Sequence, residues 1–206
     1  SLYSSGKGRI DLGYVDYFFN DFTVDLWVKP MNDGVLLANR QKEYDKGAKG
    51  WLLFVENGTL KFRYSPSNQF NKPTYEPASD EQKTIEGGKL NMGEWAHVAI
   101  TEKRDGSIRL YVNGMLTGEG ERYRREHTLN NSTYLSLFAD AFEYAPIEAA
   151  VDELKIWNYE LNEEEIRREM YSVNVDNRNG LVAYYAFNGD NLSGDLETFA
   201  GYQQRV

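Results

Sequence analysis

Cysteine is absent from this 206-residue chain. Its absence excludes disulfides, a thiol nucleophile and a cysteine-based zinc site, though it leaves the compartment open. The only histidines are His97 and His127. No Ser-His-Asp spacing, P-loop or Gly-x-Gly-x-x-Gly accompanies them, and His97 reads as a packed or hydrogen-bonded strand residue. Basic residues are outnumbered, 23 Lys+Arg against 32 Asp+Glu, for a net charge of -9. That argues against a nucleic-acid partner, because phosphate binding needs a basic face that releases counterions. No run approaches the roughly 18 apolar residues of a membrane span. A signal-peptide pattern is also missing at Ser1, which carries no weight in a trimmed mature fragment.

What is present points to a folded β protein. Hydrophobic residues make up 41% of the chain, enough for a core, and the length suits one all-β domain spanning 1–206. Period-2 runs read as strands at 22–30 (FTVDLWVKP), 51–55 (WLLFV), 59–64 (TLKFRY), 95–101 (WAHVAIT) and 107–112 (SIRLYV). Further strands read at 115–117, 133–138, 149–157 and 181–187 (LVAYYAF). Asn57-Gly58, Asp105-Gly106 and Asn113-Gly114 are hairpin signals between them. Turns at this density predict an antiparallel sandwich or barrel. The irregular stretches 40–50, 65–92 and 140–148 read as loops, the middle one long enough to suggest function.

One helix is predicted, over 162–171. Asn162 is a good N-cap, Glu165 follows at capping-box spacing, and Leu161 with Ile166 makes the hydrophobic staple. Glu163, Glu164 and Glu165 suit the positive end of the helix dipole, so this acidic cluster reads as a helix start. Ile166, Met170 and Val173 mark the face that packs on the sandwich.

Four motifs then resemble a known family. They are FTVDLWVKP at 22–30, GEWAHVA at 93–99, LYVNG at 110–114, and VDELKIWN followed by LNEEEI across 151–166. In this order they resemble the laminin-G-like, concanavalin A-like modules, bacterial versions and the pentraxins above all, with core motifs over 8–171. Residues 172–206 would hold a closing strand and tail. The resemblance implies an all-β jelly-roll sandwich of two antiparallel sheets, with one short helix near the C-terminal end. It also implies an extracellular binding role, on glycans or proteins, often with calcium and usually without catalysis.

Within such a fold, Asp152 shares a strand face with Leu154 and Ile156, while Glu153 and Lys155 share the other. Asp152 is therefore expected to enter the core and accept loop N–H groups, a structural clasp, since an unpaired buried carboxylate costs several kcal/mol. The strand lacks the third carboxylate of the Glu-x-Asp-x-x-Glu runs that retaining glucanases of this sandwich class carry. A hydrolase built on another carboxylate pair is the third-ranked reading.

Aromatics are plentiful, with 15 tyrosines. Trp27, Trp95 and Trp157 lie in core motifs and read as packing residues. Candidate sugar-stacking rings are those in or beside the irregular loops: Tyr44, Trp51, Phe70, Tyr75, Phe142 and Tyr144. By the pentraxin resemblance, calcium would sit between 40–50 and 140–148, held by Asp45, Asp140 and Glu143. The second loop lacks the family's adjacent acid-amide-acid run, and the alternative is that these acids are simply solvated. The expected protein is a non-catalytic, extracytoplasmic carbohydrate-binding module of a larger bacterial surface or secreted protein. It would bind a poly- or oligosaccharide and have other domains of the parent chain as neighbours. A protein-binding, adhesion or spacer module is the alternative.

Overall fold

The computed structural model describes residues 1–43, 47–65, 83–104, 106–121, 129, 133–140, 145–172 and 178–188; side chains at 41–43, 47–49 and 65 are not described. Among the described residues thirteen strands form two antiparallel sheets, accompanied by one helix. The larger sheet runs β1 (Leu2–Ser5), β12 (Glu148–Trp157), β3 (Phe22–Pro30), β8 (Ala96–Glu102), β9 (Ser107–Val112), β10 (Met115–Glu121), with β13 (Leu181–Tyr185) also paired to β12. The smaller runs β2 (Ile10–Tyr14), β11 (Tyr134–Leu137), β4 (Gly34–Glu43), β5 (Gly47–Glu56), β6 (Thr59–Ser65), β7 (Lys83–Lys89). β4–β7 and β8–β10 run consecutively within one sheet each, while β1, β2, β3, β11 and β12 cross back and forth between the two, so the chain forms a jelly-roll sandwich.

Alternation builds the core between the sheets. Phe22, Val24, Leu26 and Val28 of β3 meet Trp51, Leu53 and Val55 of β5 and Phe62 of β6 in one buried cluster. Asn57-Gly58 and Asn113-Gly114 both adopt positive φ at both residues, as tight hairpin turns require. At one side the sheets nearly touch. A Cβ built on Gly118 of β10 would stand 2.2 Å from the Glu86 carbonyl oxygen of β7, so only glycine permits this approach.

Three expectations need correction. Of the stretch 40–50, residues 40–43 belong to β4 and 47–50 to its partner β5, and 83–89 of the expected middle loop is strand β7. Both were missed because Gly, Lys and Gln carry little β signal. Second, Trp95 is 41% exposed, one residue ahead of β8 and no part of the core.

The third concerns Asp152. Its register partner is Trp27, but Lys155 pairs with Asp25, so three residues of β12 span two of β3. Glu153 is the extra residue, in a bulge with φ +52°. The bulge shifts the alternation by one, so Val151 and Leu154 both reach the core while the Asp152 side chain stays 29% exposed. Asp152 is not the buried clasp.

That role falls to Asp25. Helix α1 (Glu163–Glu169) lies on the outer face of the larger sheet, where Leu161 and Ile166 pack with Ala99, Tyr111, Trp157 and Leu181. Beneath it, fully buried Asp25 accepts from Trp157 Nε1 at 2.8 Å and lies 3.1 Å from His97 Nε2. Lys155 is buried beside it and donates to the Glu169 carbonyl at 2.8 Å, while Trp27 Nε1 reaches the Met170 carbonyl. Burial lowers the Lys155 pKa, an effect the Asp25 charge opposes. The predicted capping box is present in full: Asn162 Oδ1 accepts from Glu165 N–H at 2.9 Å, and Glu165 Oε2 from Asn162 N–H at 2.8 Å.

Candidate functional site

The outer face of the smaller sheet is the best candidate for a ligand. Because Trp51, Leu53 and Val55 point inward, Leu52 and Phe54 point out, and with Val35 and Ala38 they form a separate apolar cluster. Across this face run the register neighbours Asp11, Ser136, Ala38, Leu52, Arg63 and Thr84. At one side the Arg63 guanidinium lies 4.9 Å above the Phe54 ring, a cation–π contact, and donates to Thr84 Oγ1. Lys61 beside it bonds Glu86 at 2.6 Å and Glu56 at 2.9 Å. Those bonds raise its pKa above the ordinary lysine value, the bond to Glu86 most.

In the middle, the segment after β11 is pinned down. Phe138 takes a positive φ of 68° and its carbonyl accepts from Ile147 N–H at 2.9 Å. The Ala145 carbonyl accepts from Val35 N–H at 2.9 Å. Between these points Asp140, fully buried, meets Arg40 of β4 at 3.0 Å.

At the other side stand two exposed rings. Tyr14 of β2 and Tyr134 of β11 are direct cross-strand partners, exposed by 59% and 56%. Leu135 and Leu137 face the core, so Tyr134 and Ser136 face outward. Arg9 grips Asp11 in a two-pronged bond of 2.8 and 2.9 Å, a few residues along β2. Neither tyrosine was among the sequence candidates. Tyr134 was legible from the Leu135–Leu137 alternation; Tyr14 was not, because glycine-containing β2 shows no clear period.

Of the residues expected to bind sugar, Trp51 is corrected. It is fully buried, edge-on to Phe18 at 5.0 Å and 5.8 Å from Phe62, and no face of its ring is open to a ligand. The period of β5 turns it inward. Tyr44, Phe70, Tyr75, Phe142 and Tyr144 lie outside the described residues, as do Asp45 and Glu143. Asp140 does not fit the calcium role: it is paired with Arg40 at 3.0 Å, and a dication at the same buried carboxylate would be repelled by the guanidinium beside it.

A two-sheet antiparallel jelly-roll sandwich with a capped helix packed on the outer face of one sheet is the architecture of lectin-like modules. The chain belongs to the concanavalin A-like lectin/glucanases superfamily, whose family model matches residues 4–167. No curated protein matches the sequence. Among solved structures, it is similar to an inferred carbohydrate-binding protein from Bacteroides ovatus, at 17% identity and a TM-score of 0.66. That match covers 91% of this chain and 51% of the other, so the chain spans about half that protein's length. A heptameric SAP-like pentraxin from Limulus polyphemus matches at 18% identity and TM-score 0.55, over 77% of this chain and 72% of its own. The ligand binding domain of botulinum neurotoxin serotype D, in complex with N-acetylneuraminic acid, matches at 17% and 0.55, over 78% and 38%. At these identities the likeness shows the fold.

Proposed function

We propose that this chain is a non-catalytic carbohydrate-binding module of a larger bacterial surface or secreted protein. The observation that carries the reading is the uncovered Tyr14–Tyr134 pair on the outer face of the smaller sheet, in a fold of the lectin class. Aromatic rings with polar neighbours suit sugars, whose C–H faces stack on the electron-rich ring while their hydroxyls seek donors and acceptors. Tyr44, Phe70, Tyr75, Phe142 and Tyr144, which lie outside the described residues, are the further candidate stacking rings in this reading. In this reading the cation at Asp140 is Arg40 and not calcium. Binding without cleavage agrees with the absence of a catalytic carboxylate run on β12.

Among the described residues no helix is long and apolar enough to cross a membrane; in this reading the module works outside the cytoplasm, tethered by its parent chain. Titration calorimetry against a panel of poly- and oligosaccharides tests the function. We expect micromolar to millimolar binding and no new reducing ends on long incubation. Release of reducing sugar would make the protein a hydrolase instead.

A further inference from the structure

The charges on the outer face of the smaller sheet say which sugars it accepts. Each described cation there is already committed: Arg9 to Asp11, Arg40 to Asp140, Lys61 to Glu56 and Glu86, and Arg63 to the Phe54 ring and Thr84. The whole chain carries a net charge of -9. An acidic sugar would approach against that field and, at Arg9, Arg40 and Lys61, would have to displace an internal carboxylate to win the cation. A neutral sugar meets neither cost.

The tyrosine pair supplies the complementary attraction. Directly opposed residues on antiparallel strands project on one face, with Cβ atoms about 4.5–5.5 Å apart. Tyr14 and Tyr134 hold this relation and are both exposed, so both rings project from the same side of the sheet. The part-exposed Arg9–Asp11 fork adds donors and acceptors along the same face. We propose that Tyr14 and Tyr134 are the stacking contacts for a neutral glycan, and that the face discriminates against uronic and sialic acids. This rests on the carbohydrate-binding reading above.

Affinity electrophoresis in native gels tests it, with β-glucan, xyloglucan, galactomannan and amylopectin as neutral probes and polygalacturonate and hyaluronate as acidic ones. Saturation-transfer NMR with 3′-sialyllactose completes the set. Retardation by at least one neutral polysaccharide is expected, with none by the acidic polymers and no transfer to the sialoside. Tyr14→Ala and Tyr134→Ala should each weaken the neutral interaction about three- to tenfold, the range of an aromatic contact. Tyr14→Phe and Tyr134→Phe should retain most of it. Both side chains are surface residues, and unchanged melting of the variants confirms that folding is intact. Neutral binding that neither alanine variant disturbs overturns the location while leaving the carbohydrate reading standing. Preference for an acidic glycan overturns the class and also leaves it standing. Wild-type protein that binds no glycan in the panel overturns the inference and the reading together.

Discussion

Arg40 on β4 and Asp140 after β11, one hundred residues apart in sequence, meet at 3.0 Å with side chains 3% and 0% exposed. A pair so buried is sensitive to losing one member, because the survivor keeps its desolvation cost without its partner. Arg40→Met or Asp140→Leu alone should destabilise the fold by about 3–5 kcal/mol, and the double variant should recover much of that loss. Denaturant titrations of the three variants measure it. An ion bound only to the native state would raise melting by mass action, and the same geometry predicts that any rise seen in millimolar calcium over chelator does not depend on Asp140. A calcium-dependent rise that Asp140→Ala abolishes would show that a metal displaces Arg40.

The buried acid beneath the helix gives a paired comparison. Asp25→Ala removes an acceptor used by Trp157 and facing His97 and Lys155. It should cost about 1–3 kcal/mol or more, as buried donors lose their partner. Asp152→Ala, at a part-exposed position in a bulge, should shift stability by no more than about 0.5 kcal/mol. The reverse order in urea melts would return the clasp to Asp152.

The contrast shows what could be read in advance. Strand β3 matches its predicted limits, and the α1 cap was visible in Asn162 and Glu165, because alternation and capping are local chemistry. Asp152 was misplaced because a bulge at Glu153 is one residue of backbone geometry with no side-chain signature. Trp51 reads as a ring beside a loop because Arg40–Gly50 lacks β-branched residues, yet pairing of β4 with β5 extends the sheet past it and fixes its direction. The Tyr14–Tyr134 pair needed knowledge that β2 and β11 are neighbours, a contact across most of the chain that no local pattern contains.

The helix cap is a separate and smaller term. Asn162→Ala should cost about 1 kcal/mol, since the Glu165 N–H loses its acceptor. Asn162→Asp should hold stability near that of the parent. Thermal or chemical denaturation that ranks alanine equal to asparagine would remove the cap from the account of this helix.

Alkaline stability follows from the tyrosines behind β12 and β13. Burial pushes the Tyr185 hydroxyl up to about 12, and burial followed by the Glu153 hydrogen bond raises Tyr184 as well. Burial also raises Tyr17, Tyr111 and Tyr159. An acid whose folded pKa exceeds its unfolded value of 10.0 adds stability that is fully present below that value. As pH climbs, the unfolded chain loses those protons first, so stability falls until the folded groups also titrate. Lys155 acts in the opposite sense. Burial lowers its folded pKa below 10.5, so the cost of burying its charge is present at low pH and is relieved as pH rises towards that value. Five raised tyrosines against one lowered lysine should leave a net loss above about pH 10. Tyr185→Phe should make this alkaline limb shallower than in the parent, as read from urea midpoints at stepped pH. A limb of unchanged slope would mean that the Tyr185 hydroxyl is hydrated in the folded protein, contrary to its place behind Leu154 and beside Phe187.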